Sequence, residues 1–463
     1  MTPRHIAVID VGKTNAKLAL VDARSLSELA VVTRPNHVIE GPPYRHIDLE
    51  GHWAFFLAEL TRLQSEYGID AISVTTHGAA AVLLDAQGQP ACPMLDYEDR
   101  GPEELAADYE ALRPPFARTG SPRLGAGLNL GAQLHWLLAR DPALAGRVAH
   151  IVTYPQYWGF RLTGEIASDV TSLGCHTDLW EPQRGRFSDL PDRLGVADKI
   201  APPRRSAEVL GPITPKIAAL TGMAADTPVH CGIHDSNASL YPHLLANEAP
   251  FSVVSTGTWV VAMAVGSQAG DLDPDRDLLV NVDALGRPVP SGRYMGGRAY
   301  ELISQEGVAP PTPEDRAGVL ARDVRLMPSV SADSGPFKGR HHHWTSTPRT
   351  PGERMLALSW YLALVTRTCL DLARARGPVI IEGPFARNDD FAQMLAILSP
   401  EGVRIAGSAT GTSIGAALLV TGPQALGAMA FPLPVAPPTG GPADAMRRYA
   451  AHWSYEVGET TCA

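Results

Sequence analysis

At 463 residues the chain is too long for one compact core, and two or three domains are expected. Hydrophobic residues make up 45% and charged residues 19%, an ordinary globular balance that argues against extended disorder. A formal net charge of -10 argues against a nucleic-acid scaffold, which needs a basic face, but allows a nucleotide held by backbone N–H groups and a metal ion.

The opening residues MTPRHIAVID enter a strand-like apolar run with no signal-peptide pattern. No run of about 18 uninterrupted apolar residues suggests a spanning helix. The five cysteines, Cys92, Cys175, Cys231, Cys369 and Cys462, are scattered without a CxxC pair, as reduced thiols in a cytoplasm would be. A cytoplasmic location with no membrane and no nucleic-acid partner is therefore expected.

Residues 5–9 predict a strand, 10–15 a polar turn and 16–21 a second strand, together a hairpin. A helix follows over 53–68, with Phe56, Leu57, Leu60 and Leu63 at helical spacing and Gly68 as its stop. Residues 71–74 predict a buried strand that ends in Thr75-Thr76-His77-Gly78. Strand and helix go on alternating, which makes the fold class α/β. A short strand over 228–232 runs into Ile233-His234-Asp235 and a helix. From residue 250 the opening pattern begins again: strand 251–254, turn Ser255-Thr256-Gly257-Thr258, strand 259–265. That repeat predicts a duplicated domain, with halves 1–245 and 246–463. Further on, 355–374 predicts a helix, 379–381 a strand leading into Glu382-Gly383-Pro384, and 411–420 a small-residue helix.

Gly12-Lys13-Thr14 resembles the end of a P-loop, but that motif needs a glycine at position 7, which is Ala7. The segment after it also reads as a strand. The first turn instead predicts an anion nest of backbone N–H groups, with Thr14, Asn15 and Lys17 as added donors. Asp10 could hold the water shell of Mg²⁺, a metal usually bound through few protein carboxylates. Asp235 ends a buried strand, where catalytic carboxylates of α/β folds sit, and it also suits a helix N-cap. His341-His342-His343-Trp344 invites a metal reading, but adjacent histidines cannot all face one ion on a regular element, so a loop lining a cleft is expected.

At these positions the chain resembles the FGGY carbohydrate kinases. The family's first phosphate motif, Asp-x-Gly-x-Thr-x-x-Lys/Arg, is matched by Asp10, Gly12, Thr14 and Lys17. Phe160-Arg161-Leu162-Thr163-Gly164-Glu165, Thr227-Pro228-Val229 and Gly232-Ile233-His234-Asp235 follow in family order. Ser255-Thr256-Gly257-Thr258 matches the second phosphate motif, and Gly383-Pro384-Phe385-Ala386-Arg387-Asn388 resembles the adenosine motif. The resemblance implies two actin-like (ribonuclease H-like) ATPase domains with ATP in an interdomain cleft and the sugar held mainly by the first half. It implies nucleotide contacts at Asp10, Gly12, Lys13, Thr14, Asn15, Lys17, Gly257, Thr258, Gly383 and Asn388. Sugar contacts fall on His77, Asp99, His234 and Asp235, with Asp235 as the base that activates a sugar hydroxyl for attack on the γ-phosphate of MgATP.

Several positions depart from the family pattern. Tyr97-Glu98-Asp99-Arg100 is one residue short of the family's aromatic-x-Asp-x-Arg segment, which favours Asp99 over Arg100 as the sugar contact. Lys13 replaces a small or hydroxyl residue, and Pro384 stands where a second glycine is usual. Gly339 to Trp344 lacks the Glu and Pro of the matching family segment. His234-Asp235 and Gly257-Thr258-Trp259 look most like the kinases of L-rhamnulose and L-fuculose, against the alternatives xylulose, ribulose or another ketose or polyol. A non-catalytic sugar-responsive regulator on this scaffold would be expected to lose Asp10 or Asp235, and both are present. A chaperone-type or filament-type ATPase would need a partner-binding region that the sequence does not display. The expected partners are a small-molecule sugar and ATP, and a homodimer is compatible with the resemblance.

Overall fold

The computed structural model describes residues 3–268, 270–407, 411–428 and 432–459. Cys462 lies outside the described residues. The chain forms two compact units: 3–247, 280–288 and 411–428 make the first, and 248–268, 270–279, 289–407 and 432–459 the second.

The first unit opens with β1 (His5–Val11), β2 (Asn15–Asp22) and β3 (Ser27–Pro35), which pair antiparallel in sequence order. The helix α1 (Leu49–Tyr67) starts four residues before the apolar spacing predicts, because the Asp48 carboxylate accepts from Gly51 N–H and caps it. Gly68 closes it at a φ of 77°. Trp53, Phe56, Leu60 and Leu63 form its buried stripe, and each such side chain contributes about 1.5–3 kcal/mol on burial. The chain then returns as β4 (Ala71–Thr76), parallel to β1. β1 is thus central, and Ile6, Ala7, Val8 and Ile9 are all buried, as a strand covered on both faces requires.

Two helices, α2 (Tyr154–Thr163) and α3 (Val170–Leu173), precede the strands that complete the active edge of this sheet. Those strands are β5 (Pro228–His230) and β6 (Ile233–His234), both parallel to β4, and the helix α4 (Asp235–Ala246) follows directly. Gly232, the break between β5 and β6, has a φ of +89°, and a Cβ there would lie 2.6 Å from the Val74 carbonyl oxygen. Left-handed backbone and close approach together call for glycine. Gly232→Ala is expected to lower the free energy of unfolding by about 1–3 kcal/mol, measured by denaturant titration.

The second unit repeats the plan. β7 (Phe251–Thr256) and β8 (Val260–Val265) form an antiparallel hairpin. β9 (Pro288–Tyr294) pairs antiparallel with β8. The helix α5 (Pro351–Leu372) leads to β10 (Val379–Glu382), which lies parallel to β7 as β4 does to β1. The helix α6 (Asp389–Ile397) and β11 (Val403–Ile405) come next, with β11 parallel to β10. Each hairpin tip is closed by a glycine N–H within its own unit: Gly12 N–H donates to Asn15 O at 2.9 Å and Gly257 N–H to Trp259 O at 2.9 Å. Among the described residues α5 alone is long and apolar enough to cross a membrane, and 83% of its apolar window is buried in the protein.

A late helix, α7 (Thr412–Thr421), belongs to the first unit although it is encoded after most of the second. It packs on β1, β4 and α4. The His341–His343 tract is exposed, His343 pairs with Met327 in a two-residue strand, and no group of three metal-ligating side chains occurs among the described residues.

Candidate active site

Three neighbouring parallel strands of the first unit end at the same level. Asp10 and Val11 of β1 lie opposite Thr75 and Thr76 of β4, and His234 of β6 lies opposite Thr76. His77 follows β4 and donates its backbone N–H to Val11 O at 2.9 Å. Asp10, His77, His234 and Asp235 therefore stand along one sheet edge, with about 10 Å between the axes of the outer two strands.

Asp10 is the last but one residue of β1 rather than part of the turn, because register pairs it with Lys17 across the hairpin. Its carboxylate meets Lys17 Nζ at 3.1 Å and accepts a bond from the Thr412 hydroxyl of α7. Burial raises its affinity for a proton, and Lys17 and Thr412 work against that rise. Thr14 and Asn15 are exposed at the tip. Lys13 turns to Asp96, whose carboxylate it contacts, and its ammonium lies 4.6 Å from the Tyr97 ring centre and 3.2 Å from Glu98.

His77 is buried, and its ring meets Tyr97 edge-on at 5.0 Å. Burial holds it neutral, below the usual imidazole range. Nδ1 lies 3.1 Å from the Gly78 carbonyl, an acceptor only, so Nδ1 carries the proton and Nε2 presents a lone pair. That Nε2 is buried with no partner among the described residues.

Asp235 is the first residue of α4, where the helix N-terminus favours a carboxylate. Its Oδ1 accepts from Ser236 N–H at 2.6 Å and from the Ser236 hydroxyl at 3.3 Å, and lies 3.2 Å from His234 Nε2. These contacts all fall on one oxygen. Two supports fix the strand behind it: His234 N–H donates to Thr171 Oγ1 at 3.0 Å, and Gln156 Nε2 donates to Cys231 O at 2.9 Å.

Asp99, the sugar contact expected from sequence, has its carboxylate on backbone N–H groups of Arg45 at 2.9 Å and Gly101 at 2.7 Å. The carboxylate beside Lys13 is that of Asp96, 1% exposed, which the sequence reading did not single out. A signal for this was present: Asp99-Arg100-Gly101 is an Asx-turn pattern in which the aspartate bonds the backbone two residues on.

In the second unit a cavity of about 760 Å³ is lined by Gly257, Thr258, Tyr300, Met355, Ser359, Pro384, Phe385 and Asn388 among others. Asn388 caps α6 by accepting from Phe391 N–H at 3.0 Å and donates to Ser359 at 3.0 Å. Gly383 has a φ of +81° and comes so near Thr256 that a Cβ would lie 2.0 Å from its carbonyl oxygen. Of the expected nucleotide contacts, Gly257, Thr258 and Asn388 line this cavity, and Gly383 braces its wall beside Pro384.

Comparison with known proteins matches residues 5–241 to the N-terminal domain of the FGGY family of carbohydrate kinases and 248–428 to the carbohydrate kinase FGGY C-terminal domain. L-fuculokinase of Salmonella typhi is 25% identical over 57% of this chain and 57% of its own length. Rhamnulokinase of Klebsiella pneumoniae is 28% identical over 39% of this chain and 40% of its own length. The matched stretch thus spans 57% and 40% of the length of these two curated relatives. A carbohydrate kinase from Novosphingobium aromaticivorans has a solved structure with TM-score 0.87 and 35% identity, covering 97% of this chain and 100% of that one. Xylulose kinase from Rhodospirillum rubrum shares the fold at TM-score 0.79 and 22% identity, over 98% of both chains. The two domains are of the actin-like, ribonuclease H-like type. Strand-end carboxylates, duplicated hairpins and both family models agree: the chain belongs to the FGGY family of carbohydrate kinases.

Proposed function

We propose that this protein is an ATP-dependent sugar kinase acting on a ketose, with L-rhamnulose or L-fuculose preferred. The observation that carries the reading is Asp235, a partly exposed carboxylate at a strand end beside Asp10 and His77, with its bonds gathered on Oδ1. Phosphoryl transfer asks the protein to position the acceptor, balance charge and accept one proton. In the proposed step Asp235 takes the hydroxyl proton, the sugar oxygen bonds the γ-phosphorus, and the bond to ADP breaks. The lone pair on His77 Nε2 accepts from a second sugar hydroxyl, while Asp96 holds Lys13 at the rim. Adenosine occupies the cavity beside Asn388, with Gly257 and Thr258 near its phosphates. Asp10, a single carboxylate already balanced by Lys17, fits attachment of Mg²⁺ through water, and the bound ion would offset phosphate charge. Gly12, Thr14, Asn15 and Lys17 of the first hairpin are the further phosphate contacts that the family resemblance implies.

The test is ADP release measured with a panel of ketoses and polyols. Release that depends on sugar, with the highest kcat/KM for L-rhamnulose or L-fuculose, is the expected result. Preference for a xylulose or ribulose would move the substrate assignment, and release indifferent to every sugar would overturn the kinase reading.

A further inference from the structure

His234 lies between two groups that compete for one of its nitrogens. Nε2 is 3.5 Å from Cys175 Sγ and 3.2 Å from Asp235 Oδ1. Nδ1 faces the Asn237 side-chain amide at 3.2 Å, which can present either its NH₂ or its oxygen. Gly78 packs closely against the pair: a Cβ there would lie 2.7 Å from His234 Nε2 and 2.8 Å from Cys175 Sγ. If the thiol kept its proton and donated it to Nε2, that nitrogen would turn a lone pair towards the Asp235 carboxylate. Transfer of the proton from sulfur to Nε2 removes the conflict, since one N–H then serves a thiolate and a carboxylate.

We infer that Cys175 is a positioning residue for the reaction, pairing with His234 as thiolate and imidazolium so that an N–H always points at Oδ1 of Asp235. The step is a proton shift alone: the S–H bond breaks, an N–H bond forms, and nothing is oxidised or reduced. Oδ2 is then the oxygen left to take the sugar's proton, a consequence that rests on the kinase reading above. The electrostatics run the same way. Burial opposes charge on both partners, yet each pulls the other towards ionisation, lowering the thiol and, with Asp235, raising the imidazole. The other titratable groups facing the pair are His176 beside Cys175 and Asp169, which is joined to His234 N–H through Thr171 Oγ1. His77 just after β4, Asp10 of β1 and Tyr97 face Asp235.

The test begins without substrate, on the full chain. Ultraviolet thiolate absorbance of the wild type minus Cys175→Ser should show one thiolate near neutral pH, where an ordinary thiol of pKa about 8.5 is mostly protonated. In turnover, Cys175→Ser should lower kcat by up to about 10²-fold, with KM for ATP unchanged, and move the alkaline limb of the kcat profile to lower pH. Gly78→Ala, which drives a methyl group between the two side chains, should lose the thiolate signal with cysteine still in place. Absence of the signal in the wild type, or an unshifted pH profile in Cys175→Ser, overturns the inference. A thiolate signal in a protein that phosphorylates no sugar leaves the pair standing and removes the kinase reading instead. Should Cys175→Ser fail to fold, nitrogen NMR of wild-type His234 decides, a neutral ring at neutral pH being the overturning result.

Discussion

Asp235→Asn is expected to lower kcat by about 10²–10⁴-fold, the usual worth of general acid–base catalysis. Asn keeps the size of the side chain and can still accept from Ser236 N–H, so α4 keeps its first-turn bond. It cannot take a proton, and the sugar hydroxyl remains a neutral, weak nucleophile. KM for ATP and the thermal midpoint should change little. Steady-state kinetics on the preferred ketose check this, and near wild-type turnover in the purified variant would refute the base assignment.

Asp10→Asn is expected to cost about 10–100-fold in kcat/KM for MgATP, the range seen when a residue holding a metal's outer shell is removed. Sugar affinity, measured by calorimetry without nucleotide, should stay the same. Stability should not fall with it. A carboxyl whose proton affinity is raised in the folded state favours folding when protonated, and that contribution is lost as pH rises through its folded value. At neutral pH the buried charge of Asp10 therefore opposes folding. Asn removes that charge and can still accept from the Thr412 hydroxyl. The thermal midpoint of Asp10→Asn at neutral pH is expected to equal or exceed that of wild type. A parallel loss of sugar affinity and midpoint would show a general folding defect.

The sequence disclosed what is carried by local pattern. Central strands such as β1 and β10 are buried on both faces and read as apolar runs, and Gly68 marked the end of α1. Asp10 was placed in a turn because the register that pairs it with Lys17 is a property of two strands, not one. Motif order led to Asp235 and His77, which the sheet edge brings together. It led to Asp99 as well, whose carboxylate the fold gives to backbone amides, whereas Asp96 is set by tertiary burial beside Lys13. Nothing local links Cys175 to His234 across 59 positions.

The late position of α7 bears on how the chain acquires its structure during synthesis. Elongating at roughly 5–20 residues per second, a ribosome needs about 8–33 s to travel from residue 247 to residue 412. Throughout that interval β1 and β4 lack the helix that covers them, and Asp10 lacks its Thr412 donor. The first-made unit thus stays unsealed until most of the second has been synthesised. A nascent chain arrested before α7 emerges should remain sensitive to protease at apolar β1 and β4 after the second unit's hairpin has become resistant.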